Sequence, residues 1–427
     1  MTIEPPVRIE NRTQLIYLLS QAAELEHGIS CCYLFAGFSM KQGANEGVTE
    51  GQLATIQRWK ATVMQVAVQE MLHLALVNNM LTAIGGSPHI RRPNLPTSPS
   101  MYPASFELDL RPFSQQTLAN FIFLERPEGS NAQPGRSSGA SGARPPVLRA
   151  RDIFFDQPEY ETVGHLYRGI EDGFRYLAEK LGEARLFVAS AESQLAEYSR
   201  LPGLIAVTSV ATAVEAIERI VEQGEGARGE NPEGHYARFV AIDREYADVR
   251  RREPAFEPGR PVVTNPYTHV PADLHNPAKL SIVDDPLSAA VCNLFDSTYE
   301  LLIQMLGRLF SRSPAGVDEP KLLTDLATGL MTRVLAPLGV IATAMPAGPS
   351  HPGKNAGPSF YVPRNINTPP HATAAWRAWE ERLRELSAYC TILEMRGGPQ
   401  PALGRVGQVL GRFARRIVDA GFAEGAG

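Results

Sequence analysis

Cysteine is scarce in this chain: 427 residues carry four, Cys31, Cys32, Cys292 and Cys390. None forms a Cys-x-x-Cys pair, which excludes that zinc spacing, and the absence of Cys-x-x-Cys-His excludes covalently attached haem. Four thiols so spaced do not make a disulfide framework, and reduced, buried cysteines are expected. An excess of either charge is also missing. Lys and Arg number 41 against 46 Asp and Glu, a formal charge of −5, with no basic run. That balance excludes nucleic acid and an anionic membrane surface as natural partners and leaves a small molecule. Long hydrophobic runs are lacking too: the stretch 334–345 stops short of the roughly 20 residues a membrane span needs. The opening MTIEPPVRIENRTQLIYLL has no basic region leading into an apolar core, so no secretory signal is read and a cytoplasmic protein is expected. Strand alternation is almost absent, with 101–110 the one short extended candidate.

What is present is helical periodicity, over 13–40, 52–84, 115–124, 162–180, 209–223, 235–251, 287–310, 322–345 and 372–395. The expected fold class is all-α. Pro- and Gly-rich stretches divide the chain: a flexible loop at 126–149, a linker at 253–277 and a long Pro-rich segment at 346–370. They predict a helical bundle over 1–252 and a C-terminal helical region over 278–427 packed on it. A segment as long as 346–370 needs a reason, and a lid over a site is one.

The most informative motif is Glu70-Met71-Leu72-His73. On a helix, positions i and i+3 are about 60° apart, so a Glu oxygen and a His nitrogen can meet on one metal ion. An isolated Glu-x-x-His is more often an exposed polar pair. Here Ala67, Val68, Met71, Leu72, Leu74, Ala75, Leu76 and Val77 surround it. A helix apolar all round is buried, and its ionisable groups need partners. A two-metal carboxylate site in a four-helix bundle needs about four Glu and two His. Glu26 is the candidate on the first helix, with Tyr33 seven residues on along the same face. Glu24 points about 200° away, and His27 reads as a rim residue. His165 and Glu171 are the options on the helix near 165. Glu225 sits between two glycines where a helix ends, His235 starts the next helix, and Glu125 closes an apolar one. Glu218 and Glu222 read as a solvated face.

Several segments in order, AAELEHGISCCYLFAGFS, QEMLHLALVNNMLTAIGG, FSQQTLANFIFLERP, TVGHLYRGI, VEQGEG and GHYARF, resemble the ferritin-like iminophenylpyruvate dimer synthases. The C-terminal stretch from LLTDLATGL to SFYVP resembles them as well, so the likeness covers nearly the whole chain. The best-known relative is the violacein-pathway enzyme that couples two aromatic 2-imino acids, and the likeness is to its C-terminal half. The resemblance implies a ferritin-like four-helix bundle elaborated with C-terminal helices and long loops. Its metal pattern falls on Glu26, Glu70, His73, Glu225 and His235, and it retains Glu125. His165 departs from it, standing where relatives carry a carboxylate. Imidazole cannot bridge two ions, so a mononuclear site stays open beside a dinuclear one.

The function expected is a metal-dependent oxidoreductase of specialised metabolism that oxidises or couples an aromatic amino-acid-derived imine or 2-oxo acid. One or two iron ions, with manganese as alternative, would act with dioxygen or peroxide, and an upstream amino-acid oxidase would supply the imine. Metal ligands are expected at Glu26, Glu70, His73, His165, Glu225 and His235, and catalytic side chains at Tyr33, Glu125 and Tyr167. Tyr33, Phe35, Phe121, Phe123 and Tyr167 would line the substrate pocket, and Arg168 or Arg238 would pair with its carboxylate. A peroxide-decomposing dimetal enzyme and a metal-storage protein share this ligand set. A homo-oligomer is compatible with all three.

Overall fold

A computed structural model describes residues 7–98, 102, 107–127, 160, 162–195, 201–224, 231–272, 274, 276–311 and 318–422. Two long helices form its centre. α1 (Arg12–Ser39) opens at Asn11, whose side chain accepts from the Gln14 N–H at 2.9 Å. α2 (Glu50–Ala83) opens with a reciprocal cap, Thr49 accepting from the Gln52 N–H while the Gln52 side chain accepts from the Thr49 N–H. Such caps satisfy amides that a helix start leaves without partners. The two helices run antiparallel: Gly37 lies against Val63 and Met64, Ser30 bonds the Ala67 carbonyl, and Ile16 meets Leu81 beside Gly86.

The rest of the bundle is made of shorter helices: α3 (Gln115–Leu124), α4 (Val163–Leu181), α5 (Glu183–Leu186), α6 (Val210–Gly224) and α7 (His235–Arg252). α3 packs on α7 and α4 on α6, and α1 and α2 pack against this set. The C-terminal region adds α8 (Pro286–Phe310), α9 (Asp318–Leu330), a π-helical turn (Met331–Leu335), α10 (Ala336–Ala342), α11 (Ala372–Met395) and α12 (Ala402–Asp419). α12 is amphipathic, burying Leu403, Val406, Leu410, Phe413 and Ile417 at helical spacing against α11. It went unread in the sequence because Gly404, Gly407, Gly411 and four arginines interrupt its apolar run.

The nine expected helices are present, but several details differ. Residues 107–110 pair with no strand; the short sheet joins Pro266–Tyr267 in parallel to Ser281–Ile282. The 253–277 linker is packed rather than free: the Arg260 N–H bonds the Ser39 carbonyl at 2.8 Å, and Asn265 bonds the Leu110 carbonyl at 2.9 Å. The expected flexible loop at 126–149 lies outside the described residues from 128 onward. Residues 356–360, within the expected lid, are buried. Glu319–Ala342 forms one 24-residue run apolar enough to cross a membrane, longer than the 334–345 stretch read from the sequence. Half of it is buried in the protein, and its packing against α8 and α12 accounts for that composition.

The C-terminal helices dock closely on α1. A methyl added at Gly339 of α10 would stand 2.3 Å from the Phe38 ring, so only a glycine lets the two helices approach this far. Arg260 ties the junction, bonding Glu46 on one side and the Val340 carbonyl and Thr343 hydroxyl on the other.

Candidate metal centre

Six helices converge at one level of the bundle. α1 brings Glu26 and Tyr33, α2 brings Glu70 and His73, and Glu125 caps the end of α3. Tyr167 stands in the second turn of α4, Gln223 and Gly224 end α6, and His235 opens α7. Four of these nine positions are helix ends. The N-terminal ends of α4 and α7 border the carboxylates, and their partial positive charge favours anions there.

Glu70 is divided between two imidazoles. Its Oε2 lies 3.0 Å from His73 Nδ1 and its Oε1 lies 2.8 Å from His235 Nδ1. Glu26 Oε2 approaches His73 Nδ1 to 3.4 Å, and Glu125 Oε2 approaches His235 Nδ1 to 3.6 Å. Two donor groups result, Glu26–Glu70–His73 and Glu70–Glu125–His235, with Glu70 common to both. The imidazoles stack with centroids 5.5 Å apart. Behind them, His73 Nε2 donates to Gln223 Oε1 at 3.0 Å and His235 Nε2 to Gln69 Oε1 at 3.2 Å. An amide oxygen accepts only, so it fixes the proton on Nε2 and turns Nδ1 toward the carboxylates. The Tyr33 and Tyr167 hydroxyls donate to Glu125 Oε1 and Glu26 Oε1.

Burial dominates the electrostatics. It pushes Glu26 up to about 8, with Glu70's charge adding to it against the pull of His73. Burial acts on Glu70 in the same direction, but His235 and His73 together outweigh it and hold Glu70 well below the carboxylate range. Burial opposes protonation of His235, and Glu70 and Glu125 overcome it to raise His235 to about 9. Burial, then Glu125 and Glu26 respectively, lifts the Tyr33 and Tyr167 phenols well above their ordinary value, so both stay protonated donors.

This donor set fits metal ions. Glu70 Oε1 and His235 Nδ1 are fully enclosed and 2.8 Å apart, yet are not aligned for a hydrogen bond. Enclosed polar atoms left without a hydrogen bond at this separation are what a shared cation would satisfy. The enclosed space is about 20 Å³, the room of about one water.

The sequence expectations map onto this geometry unevenly. Glu26, Glu70, His73 and His235 come together with Glu125, Tyr33 and Tyr167. His165 does not join either donor group among the described residues: it is two residues before Tyr167, about 200° around α4 from the side that meets Glu26. Glu225 lies outside the described residues, although Gly224 before it is at the site, where an added Cβ would stand 3.4 Å from Glu125 Oε2. Glu24 pairs with His89 at 2.9 Å and Glu171 with Arg175, and neither belongs to a donor group among the described residues. Arg238 bonds Gln69 and Glu233. Gln69 and Gln223 were missed. Each is within two residues of a predicted ligand, but only the fold shows that they back the imidazoles.

Aromatic residues divide between two places. Tyr33 and Phe121 pack on one another and on Phe239 beside the metal site. The larger space lies on the other side of Glu70, an apolar cavity of about 300 Å³ between α1, α2 and the C-terminal helices. Its aromatic walls are Phe38, Phe295, Tyr299, Phe310 and Phe360. Glu70 is on the walls of both spaces. His27, read as a rim residue, is buried in the cavity wall, its Nδ1 donating to the Ile90 carbonyl at 2.7 Å and its Nε2 accepting from the Tyr299 hydroxyl at 2.5 Å.

Comparison with known proteins agrees with this architecture. The chain is 26% identical over 89% of its length to the dichlorochromopyrrolate synthase of Lentzea aerocolonigenes. It is 26% identical over 97% of its length to the 2-imino-3-(indol-3-yl)propanoate dimerase of Chromobacterium violaceum. It spans about 40% of the length of these curated relatives, matching 39% and 40% of them. A ferritin-like protein from Caulobacter vibrioides superposes with a TM-score of 0.48 at 19% identity, covering 78% of this chain and 96% of that one. The ferritin-like family model matches residues 19–244, which hold both donor groups. With more than half its length matched and its bundle organised around a shared glutamate, the chain belongs to the ferritin-like family.

Proposed function

We propose that this chain is a metal-dependent oxidoreductase that couples two molecules of an aromatic 2-imino acid at a dinuclear iron site, with manganese as the alternative metal. The observation that carries the reading is the division of Glu70 between His73 and His235, one carboxylate oxygen to each. Carboxylates and imidazoles suit iron(II) or manganese(II) over copper. Glu26 and His73 would hold one ion, Glu125 and His235 the other, and Glu70 both. The names of the two relatives, and the apolar cavity that shares Glu70 with the site, support an aromatic substrate.

Joining two 2-imino acids carbon to carbon removes one hydrogen from each, two electrons and two protons in all. Hydrogen peroxide takes these up to become two waters; dioxygen takes them up to become peroxide. The metal pair, when bound, supplies the redox chemistry. The chain's residues do the rest. The Tyr33 and Tyr167 hydroxyls fix the outer oxygens of Glu125 and Glu26, and Gln69 and Gln223 fix the imidazole rings. The apolar cavity excludes water from a reactive imine and presses its aromatic ring toward Glu70. An amino-acid oxidase upstream, which releases both imine and peroxide, would complete the supply.

Elemental mass spectrometry on protein purified without a histidine tag, followed by incubation with tryptophan and an L-amino-acid oxidase, tests this. The expected result is close to two iron or manganese ions per chain and an imine dimer by mass. No metal after reconstitution would overturn the reading. Two ions with rapid oxygen release from peroxide and no dimer would replace it with a peroxide-decomposing enzyme.

A further inference from the structure

A second polar centre lies away from the metal ligands, around Arg92. This residue is only 8% exposed, and its guanidinium sits between two spaces. One side borders an open cleft of about 290 Å³ formed by residues 91–94, 96–98 and 362–364, with Leu274. On the other side Nη2 bonds the Phe360 carbonyl at 2.6 Å and reaches the Tyr299 hydroxyl at 3.4 Å. Tyr299 and Phe360 are walls of the apolar cavity next to Glu70. Arg92 therefore touches, through one group, the partition between the solvent-facing cleft and the inner cavity.

The charge of Arg92 is not balanced. Its remaining hydrogen bond runs from Nη1 to the Pro93 carbonyl at 2.8 Å, and its Nε is buried with no partner. Every acceptor it has is neutral. Burial holds the Tyr299 phenol well above its usual value, so this oxygen carries no charge. Among the described residues no carboxylate forms an ion pair with Arg92; the half-buried Asp296 is engaged instead by Ser359 at 2.6 Å. Arg91 and Arg364 border the same cleft, and among the described residues no acidic one does. A guanidinium taken out of water beside neutral acceptors is costly unless an anion joins it. Arginine's planar fork also matches a carboxylate better than any other side chain.

We propose that this cleft is a carboxylate-recognition site for an aromatic 2-oxo or 2-imino acid, with Arg92 as the charge anchor and Arg364 at its rim. The choice of acid rests on the imine-coupling reading above. The site would concentrate the substrate at the partition formed by Tyr299 and Phe360, outside the cavity where coupling occurs. The competing account is purely structural: Arg92 staples the backbone of Phe360, which holds φ at 52°, a left-handed conformation that bulky residues rarely adopt.

Calorimetric binding of indole-3-pyruvate, and of its methyl ester, to the metal-free full chain separates the two. The wild type is expected to bind the acid at least tenfold more tightly than the ester. Arg92→Met should abolish this preference, Arg92→Lys should keep a part of it, and ester affinity should change by less than twofold in both. Equal losses for acid and ester in Arg92→Met would mean a structural staple and overturn the proposal, as would wild-type affinity for the acid in that variant. Should Arg92→Met not fold, Arg364→Gln decides: a reduced acid preference supports the site and an unchanged one overturns it. Because binding is read without metal or turnover, an inactive or metal-free enzyme would sink the coupling reading and leave this result standing.

Discussion

The two spaces that meet at Glu70 are built on opposite principles. The metal pocket is small and polar, and its carboxylates and imidazoles are oriented by Tyr33, Tyr167, Gln69 and Gln223. The neighbouring cavity is some fifteen times larger and lined mainly by Leu, Ile, Phe and Met side chains, with its polar residues confined to a few places such as His27 and Tyr299. The first needs only the bundle. The second exists because α8, α9, the π-helical turn and α10 lie across α1 and α2, and the π turn contributes Met331, Thr332 and Leu335 to its wall. π-helical turns occur frequently at functional sites, where one extra residue per turn re-aims side chains. The contrast sets the ferritin-like core, which holds the candidate metal ligands, against the added helices, which enclose the apolar cavity.

The largest effect that would break this division concerns Glu70, the residue on both sides of it. Glu70→Gln keeps the shape but loses the anionic bridge, so bound metal should fall from about two ions per chain to less than half an ion, by elemental mass spectrometry. His235→Ala, which touches one donor group, should leave about one. Full occupancy in Glu70→Gln would dismiss a shared carboxylate. A cavity variant makes the complementary test. Ala327 is buried on the cavity wall, and Ala327→Phe should occupy the space, leave metal content unchanged and raise KM at least tenfold. If metal content fell with it, the two spaces would not be separable.

The smallest expected effect lies behind the cavity wall. Burial pushes Asp296 on α8 up to about 7, although Ser359 and the backbone of 359–361 favour its charge. An unfolded aspartate releases its proton near 4, so between about pH 4 and pH 7 the folded chain holds the extra proton. Asp296 therefore stabilises the fold below pH 4, and this contribution is lost as pH rises through about 7. Asp296→Asn removes that dependence. The difference in melting temperature between variant and wild type should shift in the variant's favour by a few degrees from pH 4 to pH 8, in line with a change on the order of a few kcal/mol. A constant difference would show that Asp296 keeps an ordinary pKa.

Local sequence carried the helices because burial and periodicity coincide in them. The apolar surroundings of Glu70 and His73 marked a buried ligand pair, and the seven-residue spacing put Glu26 and Tyr33 on one face of α1. Glu125 and His235 stand at helix ends, where periodicity is silent; their positions at those ends made them candidates, and the family resemblance then fell on them as well. His165 shows the limit of that reasoning: it occupied an expected ligand position, and the helical phase set by Tyr167 turned it elsewhere. The aromatic walls of the larger cavity were not legible for a related reason, since Tyr33 and Phe121 pack on one another in the bundle while Phe295 and Phe360 come from distant segments.

What the sequence by itself determined, then, was an all-α chain with a buried Glu-x-x-His pair, because a 3.6-residue period and a fully apolar surround can be counted along the chain. Only the tertiary structure decided that one glutamate is shared by two imidazoles, that two glutamines back them, and that an apolar cavity borders a cleft holding an unbalanced arginine. Each of those relations depends on at least one contact between residues far apart in the chain, such as Glu70 with His235, and such distances are set by how helices pack, which no local pattern encodes.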